Sequence, residues 1–185
     1  YNCKIINHTG AWALDGCQIE NCLIAENDRG VEYYQGGTNR FDVINSTIVN
    51  NNVGIQMSDC DSVNLVNCIV SNNNTNVEFT QGPSSNINSY TSFSPVNSII
   101  SNGSSGIYNN QWGQLNWGSS NLDTSPQFVD TSNGNYSLIL DSPGIDAGNP
   151  DLNGNGISWQ NDPEDQDPDG TRMDMGYGYA AQGPV

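Results

Sequence analysis

The feature that most constrains the fold is a short motif that returns along the chain: Asn, then Cys or Ser, then any residue, then Ile or Val. Its copies begin at Asn2, Asn21, Asn45, Asn67 and Asn97. A weaker copy covers residues 119–122. The copies follow one another at 19, 24, 22 and 30 residues. A unit of this length buries its apolar face only by stacking on its neighbours, so the sequence predicts a solenoid.

The kind of solenoid follows from the short apolar pattern. Apolar residues alternate with small polar ones over four or five positions, and no stretch of ten residues has a helical period. Gly and a β-branched residue often follow the motif, as at Gly30-Val31, Gly54-Ile55 and Gly106-Ile107. We expect a second strand there, after a tight turn. The prediction is an all-β, right-handed parallel β-helix with two or three strands in each coil.

Equivalent residues of successive coils stack in such a fold, at a spacing of about 4.8 Å. The predicted internal aliphatic ladder contains Ile5, Ile24, Ile48, Ile69 and Ile99. The motif asparagines are expected to form a second ladder at the turns, where side-chain amides hydrogen-bond from coil to coil.

Three of the five cysteines, Cys3, Cys22 and Cys68, occupy the second position of the motif, where other copies have Ser. We interpret them as small buried residues. Cys17 and Cys60 lie outside the motif and either pair with each other or stay free.

Two segments are candidates for a specific surface. Residues 81–95 are expected to leave the solenoid as a lateral loop. Tyr108, Trp112 and Trp117 alternate with amide side chains, a pattern suited to stacking sugar rings and hydrogen-bonding their hydroxyls. These three residues form the predicted carbohydrate site; the alternative is that the tryptophans pack on the flank of the solenoid.

The charge balance excludes two classes of partner. The chain has four basic residues against 20 acidic ones, a net charge of −16. Such a chain repels phosphate backbones and anionic lipid, so we expect no nucleic acid partner. No apolar run has membrane-spanning length, so we expect no membrane insertion either.

The composition changes near residue 125, which divides the chain into coils at 1–124 and an acidic C-terminal segment at 125–185. We refer to residues 125–185 as the tail. An open solenoid end exposes strand edges and needs a cover. The predicted covering residues are Phe128, Tyr136, Leu138, Leu140, Ile145 and Met175. The first coil shows no cap of its own, which predicts a fragment, a preceding domain or end-to-end stacking on another copy.

The tail also carries a candidate calcium site. Asp151-x-Asn153-x-Asn155-Gly156 and the 165–170 segment each place oxygen-bearing side chains at alternate positions before Gly, as calcium loops do. The twelfth position of a calcium loop is usually Glu. Counted from Asp151 it is Asp162, and counted from Asp165 it is Gly176. The predicted Ca²⁺ ligands are Asp151, Asn153, Asn155, Asp165, Asp167, Asp169 and Asp174. The alternative is a solvated acidic loop.

Two strings in the tail, "SPGIDAG" at 142–148 and "DPDGTRMDMG" at 167–176, carry a resemblance to a known group. Together with the coils, they resemble the C-terminal ends of secreted bacterial β-helix proteins of the pectin-lyase-like superfamily, including choice-of-anchor repeat proteins. The resemblance implies an extracellular or cell-surface location. It implies architecture and no single activity, because the group contains surface proteins as well as polysaccharide-acting enzymes.

Catalysis is the less favoured function. β-Helical polysaccharide lyases need a base and cationic groups that neutralise an acidic sugar, and this chain has few. The Gly-His-Gly and Arg-x-Lys segments that the resemblance would imply for pectin hydrolases are absent. An acid pair at Asp59 and Asp61 is the remaining arrangement suited to hydrolysis.

The sequence therefore predicts a non-catalytic extracellular module that is structural or adhesive, as in a filament stacked end to end, or that binds carbohydrate. Its partners are then polysaccharide or other copies of itself. The alternative is a fragment of a lyase or glycoside hydrolase acting on acidic polysaccharide. Glycosylation sequons begin at Asn7, Asn45, Asn73, Asn102 and Asn135.

Overall fold

The computed structural model describes residues 2–34, 39–81, 91–109 and 111–180, which form a right-handed parallel β-helix with a tail packed on its side. Each coil contributes one strand to each of three parallel sheets. Sheet A contains β1 (Lys4–Ile6), β4 (Leu23–Ala25), β7 (Thr47–Val49), β10 (Ile69–Ser71) and β13 (Ile99–Ile100). Sheet B contains β2 (Trp12–Asp15), β5 (Arg29–Tyr34), β8 (Val53–Ser58), β11 (Thr75–Phe79) and β14 (Ile107–Asn109). Sheet C contains β3 (Ile19–Glu20), β6 (Arg40–Ile44), β9 (Ser62–Val66), β12 (Thr91–Val96) and β15 (Gly113–Leu115).

The tail adds one antiparallel pair, β16 (Phe128–Asp130) and β17 (Asn135–Leu138). Short 3₁₀ turns cover Gly103–Gly106, Thr131–Asn133, Trp159–Asn161 and Pro163–Asp165. None of the described residues forms a helix long and apolar enough to cross a membrane.

Asparagine sets one corner of every coil and a second corner of every coil but one. At the turn from sheet C to sheet A, each motif Asn is left-handed, with φ between 46° and 54°. At the turn from sheet A to sheet B, the left-handed residues are Asn7, Glu26, Asn50, Asn72 and Asn102. Asn enters this region more readily than most residues because its short side chain hydrogen-bonds locally. The repeated Asn therefore specifies the corners of the solenoid.

The internal aliphatic ladder of sheet A differs from the prediction at two positions. The strand register stacks Ile5, Ile24, Ile48, Val70 and Ile100. Ile69 and Ile99 were predicted as members of this ladder, but each precedes the residue that stacks in it, Val70 or Ile100, by one position. A one-residue offset moves a side chain to the opposite face of a sheet. Both isoleucines pack instead on the outer face of sheet A, against the tail.

Behind this ladder lies the predicted row of small residues, which the structure confirms as buried for Cys22, Ser46, Cys68 and Ser98. Each side chain donates a hydrogen bond to the carbonyl oxygen two residues earlier, at 2.7–3.2 Å. Cys3, at the first coil, is half-buried, with its Sγ 3.2 Å from Cys22 Sγ. All five thiols are free, so Cys17 and Cys60 are not paired. Burial raises the pKa of the Cys68 thiol to about 12, so it stays protonated.

A buried asparagine ladder, which was not predicted, lies at the start of sheet B. Asn27 donates from Nδ2 to Asn51 Oδ1 at 3.0 Å, and Asn51 donates to Asn73 Oδ1 at 2.9 Å. The signal was present in the sequence, because these residues recur at 24 and 22 residues, the same spacing as the motif. Paired amides satisfy one another, so this polar row is compatible with burial.

The last full coil ends on aromatic residues. Trp112, Leu115 and Trp117 pack, partly buried, on the main core beside β15, the outermost strand of sheet C. A Cβ at Gly113 would lie 1.9 Å from Phe79 Cδ1, so the phenyl ring occupies the space that a side chain would need. The weak motif copy is confirmed, because Leu122 bridges Ile99 in parallel as a further partial coil. Of the predicted lateral loop, 82–90 lies outside the described residues and 91–95 belongs to β12.

The tail packs along the outer face of sheet A. Tyr136 is buried against Leu23, Ala25 and Val49. Leu138, Met175 and Ala180 are buried against Ile69 and Ile99, with Ile145 partly buried beside them. Phe128 contacts both groups, whereas Leu140 is 59% exposed. The tail therefore covers the side of the solenoid, and the aromatic residues of the last coil cover its core at that end.

Candidate functional site

The tail is held on the solenoid by the motif asparagines. Gly176 N–H donates to Asn67 O at 2.7 Å, and Asn97 Nδ2 donates to Ala147 O at 3.2 Å. Tyr177 N–H donates to Thr47 Oγ1 at 2.9 Å. The predicted coil-to-coil bond occurs between Asn21 Nδ2 and Asn2 Oδ1, at 2.6 Å. From the third coil onward, the side chains of the motif asparagines bind the tail instead: Asn45 Nδ2 donates to Met173 Sδ at 3.7 Å, and Asn67 Oδ1 accepts from Asn149 N–H at 2.5 Å.

A cleft of about 350 Å³ lies between these asparagine turns and residues 166–179 of the tail. We call it the turn–tail cleft. Its amide side chains come from Asn2, Asn21, Asn45 and Gln166. Its carboxylates come from Glu20, Asp167 and Asp174. Tyr179, which is 50% exposed, stands at its edge. A concave site with converging polar groups and one aromatic ring is typical of small-molecule binding.

Two acceptor atoms in this cleft have no partner. Asn45 Oδ1 and Asp167 Oδ2 are both buried and accept no hydrogen bond. A buried acceptor without a partner costs free energy, and nearly all such groups in proteins are satisfied. The cleft is therefore suited to a ligand that brings hydroxyl donors or positive charge.

A cluster of three aspartates adjoins the cleft. One oxygen from each of Asp146, Asp167 and Asp174 lies within 4.8 Å of the other two. Asp174 is fixed because its oxygens accept from Asp146 N–H at 2.9 Å and Ala180 N–H at 2.8 Å. Burial and the neighbouring Asp169 raise the pKa of Asp167 to about 7, and burial raises the pKa of Asp174. An oxygen-binding divalent cation would favour the ionised form of all three.

The predicted calcium ligands thus separate into two groups. Asp167 and Asp174 belong to the aspartate cluster, with Asp169 nearby through Thr171 Oγ1, which lies 2.7 Å from Asp169 Oδ1. Asp146 was missed by sequence reasoning, although it stands in the "SPGIDAG" string. Asp151, Asn153, Asn155 and Asp165 lie together in a separate loop, residues 151–165, joined by Asp162.

In that loop, the side chains of Asn153 and Asn155 both donate to Asp162 Oδ2, at 3.0 and 2.6 Å. These contacts, with the N–H of Glu164, lower the pKa of Asp162. Asp165 is fully buried and accepts from the N–H groups of Leu152 and Asn153. The loop is therefore organised around carboxylates rather than apolar side chains.

The predicted carbohydrate residues do not share one environment. Tyr108 is 57% exposed on β14, next to Glu78 of β11. Trp112 and Trp117 are partly buried against the core. Stacking of sugars on these rings stays a prediction, and Tyr108 is the most accessible of the three.

The basic residues are dispersed. Arg40 pairs with Asp61 at 3.1 Å, Lys4 Nζ lies 5.4 Å from the centre of the Tyr177 ring, and Arg29 lies 5.3 Å from that of Trp12. Arg172 Nη2 donates to Ala147 O at 3.4 Å. None of the four lines the turn–tail cleft, as far as the chain is described.

No family model matches the chain, and neither the curated proteins nor the solved structures contain a significant match to it.

Proposed function

We propose that this chain is a non-catalytic, extracellular carbohydrate-binding module whose binding site is the turn–tail cleft. The observation that carries the proposal is the pair of unpartnered buried acceptors, Asn45 Oδ1 and Asp167 Oδ2, in one concave site. Both atoms are buried, so sugar hydroxyls would donate to them once the two side chains turn towards the cleft. The half-exposed ring of Tyr179 offers an apolar face for a pyranose at the edge of the same cleft.

The charge of the cleft favours neutral sugars. Glu20, Asp167 and Asp174 supply three carboxylates, and the described lining contains no Lys, Arg or His. A uronic acid would bring a further negative charge into this environment, where no basic side chain balances it and where a bound divalent cation would offset only two of the four carboxylates of Glu20, Asp146, Asp167 and Asp174. We therefore assign the site to neutral oligosaccharides and not to acidic polysaccharide.

The proposal includes Ca²⁺ at Asp146, Asp167 and Asp174. Ca²⁺ takes six to eight oxygen ligands in flexible geometry, and carboxylates, water and hydroxyl oxygens all serve. A cation beside the cleft would ionise Asp167 at neutral pH and leave coordination positions for water or sugar hydroxyls. Cation and sugar would then bind cooperatively.

A glycan array read with and without Ca²⁺ tests the proposal, using Tyr179→Ala and its matched control Tyr108→Ala. Both tyrosines are about half exposed, and each belongs to one of the two candidate sugar sites. We expect neutral glycans to bind and Tyr179→Ala to weaken binding about fivefold, since loss of an aromatic contact costs about 1 kcal/mol. If only Tyr108→Ala loses glycan binding, the sugar site lies at β14, which contradicts the proposal.

End-to-end assembly is the second candidate, favoured by the first coil. Its strands β1, β2 and β3 are the outermost members of their three sheets, and Cys3, Ala13, Leu14 and Cys17 are only partly buried on the core. Among the described residues these edges have no further strand beside them, and parallel edges of this kind are templates for strands of another copy. Sedimentation velocity across a concentration series tests it: growth of fibres supports assembly, whereas a constant monomer contradicts it.

Glycoside hydrolysis is the enzymatic alternative, favoured by one observation. Asp167 has a pKa of about 7, in the range of a general acid, and lies within 4.8 Å of Asp174. Release of reducing ends from a panel of polysaccharides, abolished by Asp167→Asn, would establish it. Binding without release supports the non-catalytic module.

The relation to secreted pectin-lyase-like and choice-of-anchor proteins, with its extracellular location, belongs to the same proposal. Its support is the parallel β-helix together with the two tail strings, both of which contribute to tail docking or to the aspartate cluster.

A further inference from the structure

Three of the five cysteines belong to the first two coils and lie on the inner side of the solenoid. Cys3 and Cys17 are half-buried on the main core, and Cys22 is 1% exposed. Cys3 Sγ lies 3.2 Å from Cys22 Sγ, so one thiol donates a weak hydrogen bond to the other. Burial raises the pKa of the Cys17 thiol, and Cys22 adds to that rise, which places all three thiols in one neighbourhood.

The backbone holds Cys3 and Cys22 side by side. β1 and β4 pair in parallel, and their register places the two cysteines next to each other, directly before the strands. Leu23 N–H donates to Cys3 O at 2.9 Å. The preceding motif asparagines, Asn21 and Asn2, are joined through their side chains at 2.6 Å. Neighbouring strands lie about 4.8 Å apart and the Cα atoms of a disulfide about 4.4–6.8 Å apart, so the backbone is already spaced for a bond between the two sulfur atoms.

We propose that Cys3 and Cys22 form a disulfide that joins the first coil to the second under oxidising conditions. The bond requires the two Sγ atoms to approach from 3.2 Å to about 2.05 Å, which rotation of the side chains accomplishes. Cys22 Sγ then gives up the hydrogen bond that it donates to Glu20 O at 3.2 Å. The inference rests on the proposed extracellular location only for its natural setting, since secreted proteins meet oxidising conditions.

The first coil is the coil that such a link stabilises most. Among the described residues, β1, β2 and β3 have no strand outside them, so the first coil packs against one neighbouring coil. An end unit of a solenoid lacks the contacts that an inner unit makes on its second side, and it opens more easily. The second motif position is Cys in the first two copies, whereas Ser46 and Ser98 flank Cys68 in the later ones. The chain therefore places adjacent thiols where a covalent link limits opening of the end coil.

The oxidant is a small-molecule disulfide such as oxidised glutathione, which reacts in two exchange steps. The Cys3 thiolate, the more accessible of the two, attacks one sulfur atom of the oxidant, so that a mixed disulfide forms and one glutathione thiolate leaves. The Cys22 thiolate then attacks the Cys3 sulfur, which forms the protein disulfide and releases the second glutathione thiolate. The two protein thiols are oxidised, the oxidant is reduced to two thiols, and the protons of Cys3 and Cys22 pass to them.

Peptide mapping of the full chain after incubation with oxidised glutathione tests the pairing. Burial and the Cys22 thiol raise the pKa of Cys3, so the incubation is run at about pH 8.5, where more thiolate forms. After the remaining free thiols are blocked, cleavage following Lys4 and Glu20 puts the three cysteines of the first two coils on separate peptides. We expect a cross-linked pair that contains Cys3 and Cys22 and separates on reduction. A cross-link to Cys17 instead, glutathione retained on Cys3, or five free thiols overturns the proposal.

Cys22→Ser and its matched control Cys17→Ser test what the bond does. Ser46 and Ser98 occupy the position of Cys22 in other coils and are fully buried there, so Cys22→Ser places a side chain that this position accepts. Oxidation should slow hydrogen exchange of the β1 amides at least about tenfold in the wild type and in Cys17→Ser. In Cys22→Ser, the same treatment should leave the exchange unchanged.

Comparison of the oxidised and reduced wild type needs no substitution, so the test survives a folding defect in either variant. Equal exchange of the β1 amides in the two forms, or equal slowing in Cys22→Ser, contradicts a link between the first two coils. Neither peptide mapping nor hydrogen exchange involves a glycan, so failure of this inference and failure of the proposed function are read separately.

Discussion

At the scale of single residues, asparagine has three separate roles in this chain. The motif asparagines adopt the left-handed corner between sheets C and A. Asn27, Asn51 and Asn73 form a buried amide ladder. Asn67 and Asn97 bind the tail. The corner could be predicted because its pattern repeats along the chain. The tail contacts could not, since their partners lie about 50 to 110 residues away and follow no period.

Asn51→Ala tests the buried ladder, with exposed Asn52→Ala as the matched control. Asn51 Nδ2 donates to the carbonyls of Ile24 and Val49, which substitution would leave with one fewer partner in a buried site. We expect Asn51→Ala to lower the free energy of unfolding by about 1–3 kcal/mol and Asn52→Ala to lower it much less. Chemical denaturation measures both; equal losses would show that burial of the ladder is not the cause.

Asp167 gives stability a pH dependence with a defined sign. Its pKa in the folded protein is about 7, against an ordinary value of about 4, so the folded state holds a proton that the unfolded state releases. The protonated Asp167 stabilises the fold at low pH, and this contribution is lost as pH rises through about 7. Asp167→Asn should remove it.

Melting temperatures of the wild type and Asp167→Asn in chelator, from about pH 4 to about pH 8, measure the effect. The melting temperature of Asp167→Asn should rise relative to that of the wild type as the pH increases across this range. Added Ca²⁺ should reduce that gain, since it binds the ionised carboxylates of the wild type. A difference that does not change with pH contradicts the raised pKa.

At the scale of elements, the strands were predictable and their faces only partly so. In the copies Cys68-Ile69-Val70 and Ser98-Ile99-Ile100, two apolar residues are adjacent, so either one could enter the internal ladder. The register stacks Val70 and Ile100, which hold the fourth position of the motif like Ile5, Ile24 and Ile48, and it leaves Ile69 and Ile99 on the outer face, where the tail covers them. Both faces of this sheet are apolar for that reason.

Gly176→Ala tests the contact between tail and sheet A. At Gly176 φ is +96°, and a Cβ would lie 2.7 Å from Thr47 Oγ1 and 2.8 Å from Ile69 Cδ1. Gly178→Ala is the matched control, with φ +76° and nothing within 4 Å. Both share a left-handed cost of about 1–2 kcal/mol, but only Gly176→Ala also displaces the tail.

Denaturant unfolding and limited proteolysis of the two variants should therefore differ, with Gly176→Ala less stable and cleaved sooner in the tail. Identical behaviour would mean that the approach of Gly176 to sheet A contributes little to docking.

At the scale of the whole molecule, a repeating solenoid and a non-repeating tail together form the turn–tail cleft. The repeat made the β-helix predictable from sequence, whereas the cleft joins residues such as Asn21 and Gly178 that no local pattern relates. Sequence reasoning predicted Asp167 and Asp174 as candidate oxygen ligands, and the structure brings them together, but it did not predict the amides beside them, because a site between distant segments exists only once the tail is docked.

The central claim is that the turn–tail cleft binds neutral sugar. Titration of isotope-labelled protein with neutral oligosaccharides, followed by amide chemical shifts in the presence of Ca²⁺, tests it most directly. We predict shifts concentrated at the Asn21 and Asn45 side-chain amides and at the backbone of 176–179. Shifts confined to the surroundings of Tyr108, Trp112 and Trp117, or no shifts with any neutral sugar, would contradict it.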